Sequence, residues 1–168
     1  MGILKTMAVK GIIPAGNKVK ELRINLFRLI TEMPFVLEKR FGAGGLDAIS
    51  EIFQHLGEQD AITITNQLGL GKTLKDAVDA WVLIGHIMES KMNVTWENDN
   101  RAITEHPYCP QYEEFKKKGK LYCEYTCWPY VGTVGAMIAP GVKMEILRPA
   151  DMNKSCRKAL VYTLSKDE

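Results

Sequence analysis

Four cysteines carry the chemistry this chain could do: Cys109, Cys123, Cys127 and Cys156. His106 stands three residues before Cys109, in His106-Pro107-Tyr108-Cys109-Pro110. Cys123-Glu124-Tyr125-Thr126-Cys127 has the spacing of a zinc-ligand pair. On a helix, side chains four residues apart share one side, so both thiolates could reach one ion. Cys109 and Cys156 fall at element boundaries, where the chain can turn both toward a common point. Four thiolates, or three with an imidazole, complete a tetrahedral zinc site or hold an iron–sulfur cluster. Three readings therefore stay open. The four cysteines share a metal or cluster, or they include reactive thiols that need no cofactor, or they are small core residues. Cys127 has an argument of its own. Pro129 suits the first turn of a helix, because its missing N–H costs nothing there. Cys127 then sits just ahead of a helix N-terminus, whose partial positive charge lowers a thiol's pKa. That makes Cys127 a candidate nucleophile, with Cys109 as a second and His106 as the base.

The elements that must position these residues show in the hydrophobic periodicity. Val19, Leu22, Leu26, Leu29, Ile30 and Met33 form a helical stripe. Pro34 ends or kinks that helix, and Phe35 to Phe41 continues it briefly. Gly42-Ala43-Gly44-Gly45 reads as a break. Leu46, Ile49, Ile52, Phe53 and Leu56 mark the next helix, with Gly57 as its stop. Ala61 to Leu68 fits either a strand or a short helix. A third helix runs from Thr73 to about Met92, with Thr73 and Asp76 at the capping-box positions. The period then changes to two. Val94 and Trp96, the turn Asn98-Asp99-Asn100, and Ala102 to His106 predict a β-hairpin. Pro110 to Lys118 predicts a helix closed by Gly119. Tyr122 to Met137 is helical in pattern and splits near Cys127. Val142–Leu147 and Lys158–Leu164 predict strands. The expectation is one α+β domain over residues 1–168, with an arm (1–15), a helical half (17–92) and a cysteine-bearing half (93–168). The helical half packs on a small antiparallel sheet of β-β-α-α-β-β order.

Composition narrows the function classes. The 168 residues are 46% hydrophobic and 25% charged, which is ordinary for a folded domain. A net charge of +2 gives no strong field for nucleic acid or anionic lipid. No apolar run reaches the ~20 residues of a membrane span. Met1 to Thr6 lacks the layout of a secretory signal, although Gly2 and Thr6 fit a myristoylation pattern. A reducing cytoplasm is the expected setting, with the cysteines unpaired. Gly69-Leu70-Gly71-Lys72-Thr73 resembles the end of a phosphate loop, but Asn66 stands where its first glycine belongs. It reads as a loop and a helix cap. Lys116-Lys117-Lys118-Gly119-Lys120 reads as ordinary C-terminal capping. His86 is expected at the surface and His55 at the core boundary.

The order of a helical front half, a hairpin, a Cys-Pro segment, two helical cysteines and a last cysteine near the final strand resembles the L-2-amino-thiazoline-4-carboxylic acid hydrolase-like family. It is similar more distantly to small-molecule-binding domains of the four-vinyl-reductase type. The likeness rests on His106-Pro107-Tyr108-Cys109-Pro110, Cys123, Cys127 and Cys156, and runs loosely from Phe27 to Leu164. In the vinyl-reductase-type sensors, comparable cysteines hold zinc beside a small-molecule pocket. Carried over, this assigns Cys123, Cys127 and Cys156 as ligands, with Cys109 a fourth ligand or a free thiol. The chain departs before Cys156, where Asp151-Met152-Asn153-Lys154 replaces a glycine-rich acidic turn.

The resulting expectation is a hydrolase-like protein that opens a C–N bond of a small heterocycle or amide. A bound ion would polarise water for attack, or a thiol would attack while His106 shuttles the proton. The alternatives are a non-catalytic small-molecule sensor with a structural four-cysteine zinc site, and an iron–sulfur protein. A small molecule is the expected partner, with no nucleic acid and no membrane. The amphipathic N-terminal helix packs either in cis or across a homodimer.

Overall fold

The computed structural model describes residue 11 and residues 13–163. The myristoylation pattern and the far end of the last predicted strand lie outside them. Five helices and four strands follow in the order α1 (Ala15–Phe41), α2 (Ala43–Leu68), α3 (Leu74–Ile87), β1 (Lys91–Asn98), β2 (Arg101–Tyr108), α4 (Pro110–Lys117), α5 (Cys127–Ile138), β3 (Val142–Arg148) and β4 (Arg157–Tyr162). The strands form one antiparallel sheet, ordered β1-β2-β4-β3. The expected α+β class and C-terminal element order are therefore present.

The helical half is simpler than its sequence suggested. Pro34 lies inside α1 and is buried, and the helix runs on to Phe41. The break before α2 is the single residue Gly42, at φ 60°. Gly57 does not stop α2, which continues through the ambiguous stretch to Leu68. A Cβ at Gly57 would stand 2.7 Å from the Tyr130 carbonyl oxygen of α5. Glycine is there so that two helices can touch, and the real stop is Gly69, at φ 63°. The capping box of α3 forms, with Thr73 and Asp76 each accepting from the other's backbone N–H. That helix is shorter than expected, because Met88 and Glu89 turn the chain, Glu89 at φ 55°, and Met92 already belongs to β1.

Two apolar clusters hold the layers together. One joins the end of α2 to α3, α5 and the sheet, through Ala61, Ile64, Trp81, Val134, Ala102 and Leu160. The Trp81 indole N–H donates to the Val131 carbonyl at 2.7 Å, so this large ring is buried with its polar atom satisfied. The other joins Leu46, Ile49 and Phe53 of α2 to Phe115, Tyr122 and Cys123. Ile30, Met33 and Phe35 of α1 close it from outside. Tyr122 Oη and Lys120 Nζ both donate to the Glu38 carboxylate at 2.6 Å, which ties α1 to the chain leading into α5. Lys120 and the Tyr122 hydroxyl hold that carboxyl below its ordinary pKa. The basic run thus binds tertiary partners, Lys118 to Glu32 and Lys120 to Glu38, beyond the capping role expected of it.

Candidate functional site

The site lies where α4, α5 and the start of β4 meet. Cys127 is the first residue of α5 and Thr126 its N-cap residue, so the helix expected from Tyr122 starts later, and Cys123 lies in the turn before it and shares no helix face with Cys127. Gln111 of α4 donates to Thr126 Oγ1 at 2.8 Å, and that hydroxyl donates to the Tyr122 carbonyl at 2.9 Å. These bonds fix α4, and with it Cys109, beside the N-terminus of α5. On the other side, Ser155 Oγ donates to the His106 carbonyl at 2.7 Å. This pins the segment after β3 onto β2 and carries Cys156 inward. Cys123 and Cys156 are buried, while Cys109 and Cys127 are partly exposed, and all four are free thiols. They stand close enough that charge on one shifts the others.

The sulfurs gather around a group that the sequence did not single out. Lys158 is 1% exposed and its Nζ lies 3.4 Å from Cys127 Sγ. The ammonium also sits 5.3 Å from the centre of the Trp81 ring, within cation–π range. Burial works against this cation, and negative charge on Cys127, Cys156 and Cys109 more than offsets it, so the Lys158 pKa is raised. Burial pushes the Cys127 thiol up, and Lys158 pulls it back only in part. The Lys158 ammonium and the helix N-terminus beside Cys127 both favour its thiolate, and burial opposes it. Burial pushes Cys109 up to about 11 and raises Cys123 further, so both remain thiols at neutral pH.

His106 is placed on the other side of Cys109. Its Nδ1 lies 2.8 Å from Ser90 Oγ, and that hydroxyl gives its only proton to the Tyr108 carbonyl at 2.9 Å. Nδ1 therefore carries the imidazole proton, and Nε2 is left as an acceptor. Burial, with Lys158 nearby, lowers the His106 pKa to about 3. It is a neutral imidazole throughout the physiological range and a weak base. His55 and His86 lie outside this region and are exposed. The side chain of His55, expected at the core boundary, is 77% exposed and pairs with Glu58 instead.

Among the described residues, no group of three or more His, Cys, Asp and Glu side chains is placed to hold a metal ion. The cation that the sulfurs face is the lysine ammonium. A cleft of about 300 Å³ opens beside the cluster, walled by His106, Cys109, Tyr112, Lys116, Arg148 and Ser155 among others. Lys158, Arg148 and Tyr112 were all missed by sequence reasoning. For Lys158 a faint signal existed, because it shares a strand face with Leu160, which packs against α5 at Gly135.

No family model matches the chain, and no curated protein matches it. Among solved structures, it is similar in fold to a trafficking protein particle complex subunit 3 from Naegleria fowleri, crystallised covalently bound to palmitic acid. The match has a TM-score of 0.59 at 14% identity and covers 91% of this chain and 99% of that one. At that identity the likeness concerns the fold alone.

Proposed function

We propose that the protein is a thiol-dependent enzyme of small-molecule chemistry, opening a C–N bond of a small heterocycle or amide. The observation that carries this reading is the Lys158 ammonium against Cys127 Sγ at the N-terminus of α5. An ammonium beside a sulfur favours its ionised, nucleophilic form, and on this reading Cys127 is the thiolate. The Cys127 thiolate adds to the electrophilic carbon, and the C–N bond breaks as the leaving nitrogen takes a proton from Lys158. Water then attacks the thioester, giving the carboxylic acid and returning the proton to the cysteine–lysine pair. His106 and Cys109 line the cleft from which a substrate would enter, and there they orient it.

The test is competitive alkylation with iodoacetamide at pH 7, read by mass spectrometry. Cys127 should be modified at least about tenfold faster than Cys109, Cys123 and Cys156. Lys158→Met should remove that difference. Equal rates for all four thiols would overturn the reading.

The second reading is a non-catalytic sensor domain with a structural zinc at Cys109, Cys123, Cys127 and Cys156. What favours it is the convergence of four sulfurs from separate stretches of chain. The positive charge of Lys158 beside Cys127 opposes a second cation there. Metal analysis of freshly purified protein separates the two readings, and a visible absorption spectrum tests the iron–sulfur variant. Of the two partner arrangements, a homodimer through α1 has support in the exposed Val19, Leu22, Leu26 and Leu29, a run larger than the scattered apolar residues of an ordinary surface. The fold neighbour is itself a subunit of a complex. No helix among the described residues is long and apolar enough to cross a membrane.

A further inference from the structure

Two of the side chains that line the cleft beside the cysteines carry a buried polar atom without a partner. Tyr112 is 5% exposed, and its buried hydroxyl makes no hydrogen bond among the described residues. Arg148 donates through Nη2 to the Ser155 carbonyl at 3.0 Å, while its buried Nε has no partner. An orphaned buried donor costs on the order of 1–3 kcal/mol, so two on one cleft call for an explanation. Both side chains line the same cavity, between the end of β2, α4 and the segment after β3. Lys116 and Lys154 line it too, and Lys116 Nζ lies over the Tyr112 ring at 5.7 Å. Two carboxylates also line it. Glu105 is held by Arg157 at 3.2 Å, which leaves Glu113 to set against three cations.

We propose that this cleft binds a small molecule through an oxyanion group, seated between Arg148 and the Tyr112 hydroxyl and flanked by Lys116 and Lys154. An oxyanion is the chemistry that satisfies a guanidinium N–H and a phenol O–H together. The volume, about 300 Å³, suits a small metabolite and not a polymer. Carboxylate and phosphoryl groups share this chemistry. This is the cleft through which the thiol reading brings its substrate, but binding needs no turnover, so the two tests fail independently.

Amide NMR titrations of the whole chain at pH 7 test it, with inorganic phosphate and benzoate as probes and benzamide as the uncharged control. Saturable shifts at Tyr112, Arg148 and Lys154 are expected with one or both oxyanions and none with benzamide. A response to phosphate alone supports a phosphoryl group, and to benzoate alone a carboxylate. Arg148→Met should weaken binding about tenfold. Tyr112→Phe should weaken it severalfold while leaving the unbound protein at least as stable, because it removes an unpaired hydroxyl. Failure of both oxyanions to shift the cleft, an equal response to chloride, or undiminished binding by Arg148→Met would overturn the proposal.

Discussion

The two halves of this molecule spend their buried volume differently. In α1–α3 the interior is apolar but for Thr31, whose hydroxyl donates to the Phe27 carbonyl of its own helix, and the surface is unusually apolar. Leu22 of α1 is 69% exposed and Leu29 is 62% exposed, although both lie on a regular helical stripe. In the strands and α4–α5, polar groups have gone inside: Lys158, Thr104 and Thr126 are all buried. The first half carries an apolar face that its own core does not use, and the second carries charge where packing alone would place a leucine. Burying a cation without a partner is costly. Lys158 among the thiols is therefore where the second half departs furthest from packing alone.

The sharpest way to break the comparison is at its shared wall. Trp81 packs the helical half onto the sheet and supports the Lys158 ammonium. Trp81→Ala should cost about 3–5 kcal/mol in urea unfolding and slow alkylation of Cys127 in whatever protein remains folded. Gly57→Val comes next. Its side chain would meet the Tyr130 carbonyl and the Thr133 side chain, so α2 and α5 must part, at about 1–3 kcal/mol.

His106 supplies an effect that depends on pH. Its folded pKa of about 3 lies below the ordinary 6.5, so on acidification the unfolded chain takes up the proton first. Stability is therefore full above about 6.5 and lost progressively as pH falls toward 3, by at most about 1.4 kcal/mol per pH unit. Urea midpoints at pH 7, 6 and 5 should fall in that order, and His106→Gln should flatten the decline. The smallest effect belongs to the other half. Leu22→Gln should change stability by no more than about 0.5 kcal/mol if the α1 face meets only water. A loss above 1 kcal/mol that grows with protein concentration would place a second copy on that stripe instead.

Much of the fold was legible. The hairpin, α4 with Gly119 after it and the capping box of α3 all rest on local chemistry, and local chemistry is what a sequence displays. The glycines misled for the same reason. A glycine that ends a helix and one that lets another helix approach are identical in sequence, and only the neighbour 2.7 Å from Gly57 tells them apart. Pro34 likewise reads as a breaker, yet α1 runs through it.

By itself the sequence determined the element order, the α+β class, and the places of Cys109 and Cys127 at the starts of α4 and α5. Those follow from periodicity and from turn and cap preferences that act over a few residues. Only the tertiary structure decided that four sulfurs share one neighbourhood, that Lys158 stands among them, and that Tyr112 and Arg148 face one cleft. Those groups are separated by tens of residues, and their charge states follow from desolvation and mutual distance, which exist only once the chain has closed around them.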